Sequence, residues 1–151
     1  MPGTDIQFMG EALLEAARAE AAGEVPVGAV LTKDDRIIAR GANRPIAGCD
    51  PTAHAEIEAM RSGAKLLGNY RLNDTVLYVT LEPCLMCASA IMQARVRRVV
   101  FGAWDPRAGA AGSLLDAFAL AAHTYRVDVF GGVLEAECGA LLKRFFGSRR
   151  S

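Results

Sequence analysis

His54 and Glu56 form an H-x-E pair, and Pro83, Cys84 and Cys87 form P-C-x-x-C. One imidazole and two thiolates make up the three protein ligands that a catalytic zinc keeps while its fourth tetrahedral position goes to water. Glu56 is left over from that count as a carboxylate beside the bound water. The chemistry such a set can do is hydrolysis, with a metal-activated water as nucleophile and the carboxylate as general base and acid.

The spacing supports this division of labour. Pro83 reads as the first position of a helix, where its missing N–H costs nothing. Cys84 and Cys87, three apart, then share one helical face and can reach one ion. The positive end of that helix favours both thiols in their deprotonated form. His54 and Glu56 are two apart, a spacing that splays side chains to different sides of a helix, so one ligates and the other serves the water. Two other readings stand beside this one. A C-x-x-C alone is also the layout of a redox pair. A closed structural zinc would draw a fourth ligand from Cys49, Cys138 or His123. None of these three forms a second paired motif, and their plainer roles are a loop thiol, a small helix-core residue and a surface or core histidine. Glu56 also argues against a closed site, which has no use for an unliganded carboxylate.

The elements that must position these residues can be read from periodicity and turn chemistry. Thr4 and Gln7 resemble a capping box, and Met9, Leu13, Ala16 and Ala17 follow at helical spacing up to Gly23. Val25–Thr32 and Arg36–Gly41 are apolar runs separated by Lys33, Asp34 and Asp35, the pattern of a hairpin. A loop follows from Asn43 through Pro45, Gly48 and Pro51. Thr52 is placed to cap a second helix with His54 and Glu56 in its first turn and Ile57, Met60 and Ala64 on its buried stripe. Asp74 leads into Thr75–Leu81, a β-branched strand that delivers Glu82, Pro83 and Cys84. The next helix, about Cys84–Ala94, is apolar nearly all round, through Leu85, Met86, Ile91 and Met92, and is expected to be buried on several sides. Val96–Phe101 reads as a strand, Leu114–Ala122 as a helix, Tyr125–Phe130 as a strand and Leu134–Phe146 as a last helix. This alternation predicts an α/β sheet with helices on both faces. Both halves of the metal site fall at helix N-termini, the usual place for ligands in open α/β sheets.

The 151 residues suit one domain with a substantial core, and no repeat, linker or low-complexity tract divides residues 1–151. Seventeen basic residues balance seventeen acidic ones, so no global positive field holds nucleic acid and any such binding needs a local patch. The hydrophobic content of 52% is high for a small monomer, and burial against a second subunit would account for it. Four cysteines, two of them committed to metal, leave no disulfide framework and point to a reducing compartment. With no N-terminal apolar region and no apolar run of ~18 residues, neither secretion nor membrane spanning is expected, and the cytoplasm is the expected location.

Several segments together resemble the bacterial tRNA-specific adenosine deaminases of the cytidine and deoxycytidylate deaminase superfamily. They are 25–30 (VPVGAV), 43–45 (NRP), 50–57 (DPTAHAEI), 69–72 (NYRL), 77–84 (LYVTLEPC) and 109–113 (GAAGS). The zinc motif alone specifies only the superfamily, since cytidine, cytosine and guanine deaminases share it. The resemblance implies a three-layer α/β/α, cytidine-deaminase-like fold with a central mixed sheet of about five strands. It implies one Zn2+ per subunit on His54, Cys84 and Cys87, and a homodimer with active sites near the subunit interface. The reaction it implies is deamination of the wobble adenosine of a tRNA, an arginine tRNA, to inosine. Zinc-activated water attacks C6 of adenine, and Glu56 carries the proton to the ring nitrogen and then to the departing amine. Asn43 resembles a base-recognition residue, and Val27, Ala29, Leu81 and Pro83 resemble pocket positions. The plainer role of Leu81 is core packing.

For the RNA, the end of the chain interleaves Lys143, Arg144, Arg149 and Arg150 with Phe145 and Phe146, a mixture suited to phosphate contact and base stacking with the anticodon arm. The plainer reading is a solvated basic helix terminus. Arg95, Arg97, Arg98 and Arg107 are weaker candidates. Two further function classes share the zinc motif: a deaminase of a free base or nucleoside (guanine, cytosine or cytidine), with a closed pocket and no basic rim, and a non-catalytic zinc-binding subunit.

Overall fold

A computed structural model describes residues 2–120 and 124–149. Its elements, in chain order, are α1 (Pro2–Ala21), β1 (Gly28–Lys33), β2 (Arg36–Ala42), α2 (Pro45–Gly48), α3 (Ala55–Leu67), β3 (Thr75–Leu81), α4 (Leu85–Ala94), β4 (Arg98–Ala103), α5 (Ala117–Leu120), β5 (Asp128–Gly131) and α6 (Glu135–Arg149). The five strands make one mixed sheet in the order β2-β1-β3-β4-β5. β1 pairs antiparallel with both β2 and β3, while β3, β4 and β5 run parallel. The α3 and α4 side chains Ala55, Ile57, Met60, Cys87, Ile91 and Met92 pack with Ala29, Leu31, Leu77, Val79 and Phe101 on one face. On the other, Phe8, Met9 and Ala12 of α1 and Cys138 of α6 pack with Val30, Tyr78 and Val100. Strand side chains alternate between these two cores with period two, so both faces are covered and the strands read as continuous apolar runs.

The β1–β2 turn places Asp34 and Asp35 at φ 52° and 58°. Two consecutive left-handed residues are what a two-residue hairpin matching the strand twist requires, and aspartate is among the residues that tolerate it. Gly41 in β2 lies where any Cβ would overlap the Ala55 carbonyl and the Ala59 amide of α3. Its missing side chain lets the first turn of α3, with Glu56, sit down on the sheet.

Several boundaries differ from the sequence expectation for identifiable reasons. α1 begins at Pro2, so Thr4 lies inside the first turn and caps nothing; proline is pre-organised for that turn. The buried stripe of α1 runs through Asp5, Phe8, Met9, Ala12, Glu15, Ala16 and Ala19, and Ala17 is exposed. Pro45–Gly48, expected as loop, forms one helical turn, whose Ile46 and Ala47 N–H groups are taken by the Glu24 carboxylate at 3.2 and 2.8 Å. The Leu114–Ala122 helix shortens to Ala117–Leu120 among the described residues, because Leu114 and Leu115 return hydrogen bonds to Gly109 instead. Its expected end, together with His123, lies outside the described residues. α4 buries Cys87, Ala88, Ile91 and Met92 but leaves Leu85 53% exposed. No helix among the described residues is long and apolar enough to cross a membrane.

Asp5 ties α1 to the sheet. Its carboxylate accepts two hydrogen bonds from Arg98, at 2.9 and 2.8 Å, and one from the Tyr78 hydroxyl at 2.8 Å. Burial alone would raise its pKa, but Arg98 and Tyr78 outweigh it and hold the group below its ordinary value of 3.8. A carboxyl depressed in the fold contributes stability that is present above its unfolded pKa and is lost as pH falls through the folded one. Removing one partner of a buried pair costs ~3–5 kcal/mol. Asp5→Asn should cost somewhat less at pH 7, about 2–3 kcal/mol, because Arg98 keeps part of its surface in water. Denaturant melts at pH 7 and pH 3 check this: the gap to the parent should shrink at the lower pH. A gap that widens in acid would show that the pair does not hold α1.

Candidate metal centre and base pocket

The site lies at one end of the sheet. The C-terminal ends of β2, β3 and β4 and the N-terminal end of β1 converge there, which follows from the strand directions. His54 is the N-cap of α3 and Cys84 the N-cap of α4, both with extended backbone. Both helices begin later than their sequence signals predict. Thr52 does not cap α3; its hydroxyl and amide both bond Asp50 (2.7 and 2.9 Å). Pro83 precedes the N-cap and is not the first helical residue. Neither His54 nor Cys84 makes a side-chain capping bond, so their nitrogen and sulfur remain available. Cys87 is the third residue of α4, fully buried, and its sulfur meets that of Cys84 across the first turn.

The donor set fits zinc in geometry as well as chemistry. Tetrahedral bonds of ~2.05 Å to nitrogen and ~2.3 Å to sulfur separate N from S by about 3.6 Å. His54 Nδ1 lies 3.6 Å from Cys84 Sγ and 3.4 Å from Cys87 Sγ. All three donor atoms lie within 4.8 Å of one another, and no other such group occurs among the described residues. Cys138 lies under the other face of the sheet, packed against Gly102, and Cys49 is exposed beyond α2. Neither supplies a fourth ligand, so the described residues leave the site open.

The electrostatics favour a thiolate at Cys84. The hydrogen bond with Cys87, opposed by burial and aided by His54, brings the Cys84 thiol down to about 4. The same bond, with burial, pushes the Cys87 thiol up, and the contact with Cys84 raises His54. Glu56, 4% exposed, is pushed up to about 7, chiefly by burial. A carboxylate there holds or releases a proton near neutral pH.

A pocket of about 230 Å³ opens onto the triad, lined by Val25, Val27, Asn43, His54, Glu56, Leu81, Glu82, Cys84, Asp105 and Ala108. It is smaller than the roughly 300 Å³ at which drug-sized ligands begin, so it suits one planar base and not a whole nucleotide. The structure thus brings Asn43, Val27 and Leu81 together with the metal residues. Ala29 and Pro83 are not in this lining. Ala29 is fully buried within β1, opposite Val79 and Gly41. Pro83 is buried behind the ligand turn, where its carbonyl accepts the Ala110 N–H. Val25, Glu82, Asp105 and Ala108 were not foreseen as lining. Their one sequence signal was position, at the ends of segments that run toward the motif residues.

The basic C-terminal residues separate into distinct environments. Arg144 pairs with Glu20 at 2.8 Å, and Arg149 lies over the Phe145 ring at 3.9 Å and bonds the Gly23 carbonyl. Phe145 is buried, and Phe146, 46% exposed, packs edge-to-face against it at 5.4 Å between ring centres. Glu20 lies in the last turn of α1 and Gly23 in the turn after it, which leads to Val25 and Val27 and brings the end of α6 to the pocket end of the molecule. Arg150 lies outside the described residues. Arg95 and Arg97 precede β4 and sit at the opposite end of the sheet, and Arg98 is committed to Asp5. Arg107 is exposed in the loop beside Asp105.

Comparison with known proteins agrees with this geometry. The cytidine and deoxycytidylate deaminase zinc-binding region matches residues 2–103. A tRNA-specific adenosine deaminase of Haemophilus influenzae is 52% identical over 97% of this chain and 85% of its own. One from Bacillus subtilis is 45% identical over 97% and 91%. A structure solved in work on A-to-I editing by tRNA:A34 deaminases at the wobble position superposes with a TM-score of 0.87 at 47% identity, covering 90% of this chain and 99% of that one. The match over residues 2–103, together with relatives about half identical over nearly the whole chain, shows that the chain belongs to the cytidine and deoxycytidylate deaminase family.

Proposed function

We infer that the protein converts adenosine to inosine at the wobble position of a tRNA, an arginine tRNA by the resemblance above. The observation that carries this reading is the open His54–Cys84–Cys87 site with buried Glu56 at the floor of a base-sized pocket, in a chain about half identical to tRNA adenosine deaminases. Zinc bound there supplies the Lewis acidity that makes water a nucleophile near neutral pH. Glu56 takes the proton of the attacking water on its carboxylate and passes it to the adenine ring nitrogen beside C6. The departing amine takes the next proton, so that adenosine and water become inosine and ammonia. Asn43 supplies a polar edge for the base, and Val27 and Leu81 exclude water around it. A loop nucleotide is already unpaired, so bringing its base into this pocket costs less than opening a duplex.

The single sheet supports one deaminase domain across residues 1–151, and thiolate ligands suit a reducing compartment, the cytoplasm. We further infer a homodimer, supported by exposed Leu85 next to Cys84 and by exposed Trp104 and Leu114 flanking the loop beside the pocket. A sedimentation mass of one chain at micromolar concentration would refute the dimer.

The function is tested by comparing an arginine-tRNA anticodon stem-loop with free adenosine, cytidine and guanine at two salt concentrations. The stem-loop should form inosine and the free compounds should turn over poorly, because flanking nucleotides supply the binding energy that places the adenine. Deleting Arg149 and Arg150 should raise KM for the stem-loop, and flatten its salt dependence by about one unit of slope per lost phosphate contact, with zinc content unchanged. Efficient turnover of a free base with an untouched stem-loop would make this a free-base deaminase instead.

A further inference from the structure

Glu82 is 2% exposed, and no cation pairs with it among the described residues. Its carboxylate is instead surrounded by donors from one loop. Oε1 accepts the Asp105 N–H at 2.9 Å and the Ser113 hydroxyl, and Oε2 accepts the Ala111 N–H at 2.9 Å and the Ser113 N–H at 3.0 Å. The next residue continues the grip, since the Pro83 carbonyl accepts the Ala110 N–H at 2.8 Å, and the residue after that is the metal ligand Cys84. Gly109 packs against this carboxylate so closely that a Cβ would overlap it.

The loop held this way carries Asp105 and Ala108 into the pocket lining. β2 and β4 are separated by β1 and β3 in the sheet, so Asn43, which follows β2, and Asp105, which follows β4, approach the pocket from opposite sides. Neither Asp105 nor Ala108 lies in a helix or strand, and their placement depends on what anchors residues 105–113. A buried carboxylate without a counter-ion is costly unless oriented donors compensate it, and a neutral isostere would turn an amide N–H₂ against two of them.

We propose that Glu82 is a positioning residue that holds the 105–113 loop as the second wall of the base pocket and joins that wall to the Cys84 ligand turn. It acts through the loop and takes no part in proton transfer. The proposal rests on the reading of this pocket as an RNA adenine site.

Glu82→Gln, Gly109→Ala and Ser113→Ala are the test, with zinc content, Tm, amide hydrogen exchange and stem-loop kinetics measured on each. Glu82→Gln should keep one zinc per chain and speed exchange at Ala111 and Ser113 about tenfold or more. It should raise KM for the stem-loop by a similar factor, with kcat within about threefold of the parent. Gly109→Ala retains the carboxylate but pushes it aside, and should shift KM and exchange in the same direction; Ser113→Ala should do so more weakly. If Glu82→Gln does not fold, these two decide. A lower Tm with KM unchanged would reduce Glu82 to a stabilising contact, and loss of zinc or a collapse of kcat would place its role at the metal; either overturns the proposal. A parent inactive on the stem-loop sinks the substrate reading alone, while unchanged exchange at Ala111 and Ser113 in Glu82→Gln sinks the clamp alone.

Discussion

Glu56→Gln is expected to leave one zinc per chain and a folded protein while lowering inosine formation by ~10²–10⁴-fold or more. Glutamine keeps the shape of the side chain in a position only 4% exposed, so packing around the first turn of α3 is undisturbed. What it loses is the ability to accept a proton. The reaction needs that ability more than once, at the attacking water, the ring nitrogen and the departing amine, so the loss can exceed that of a single transfer. Of the other carboxylates in the pocket lining, Glu82 is saturated by the 105–113 loop, and Asp105 accepts the Arg107 and Ala108 N–H groups on Oδ1 at 3.0 and 3.3 Å. Single-turnover assays on the stem-loop, with metal analysis of the same sample, give the answer. Activity within a few-fold of the parent would mean that another group is the base.

Cys87→Ala is expected to abolish both bound zinc and activity. Two remaining donors, His54 and Cys84, fall short of the three that a catalytic site retains, and alanine offers no lone pair in their place. Cys87 is fully buried at the start of α4, so the substitution also removes packing from the core, at a cost of about 1 kcal/mol for one lost atom of this size. Cys49→Ala is the control, since that thiol is exposed and away from the ligand group. It should keep one zinc per chain and parental turnover. Full zinc in Cys87→Ala, or its loss in Cys49→Ala, would remove the assignment of ligands.

The chemical half of the site was legible in the chain because a zinc ligand set is a statement about residue types. H-x-E and P-C-x-x-C specify donors and a base without reference to what lies between them, and each half sits on one local element. Even so, the capping geometry escaped periodicity. Thr52 and Pro83 carry the usual signals of a helix start, yet the helices begin after His54 and Cys84. A helix boundary responds to hydrogen-bond partners such as Asp50 for Thr52, and these are fixed by the loop's own geometry.

The sequence alone therefore determined the zinc donor set, the alternation of strands and helices and the two-sided sheet, all properties of short segments and their apolar periods, and it offers Glu56 as the proposed base. Tertiary structure decided the strand order and the composition of the pocket wall. The parallel pairing of β4 with β3 carries Asp105 to the side of Cys84, and the antiparallel pairing of β1 brings Val25 and Val27 to the same end. It also gave Glu82 its partners, because a carboxylate two residues before a ligand says nothing about the loop it will hold until β4 has returned that loop to it. Such contacts form between residues far apart in sequence, and their energy comes from burial and hydrogen bonds that exist only once the sheet is assembled.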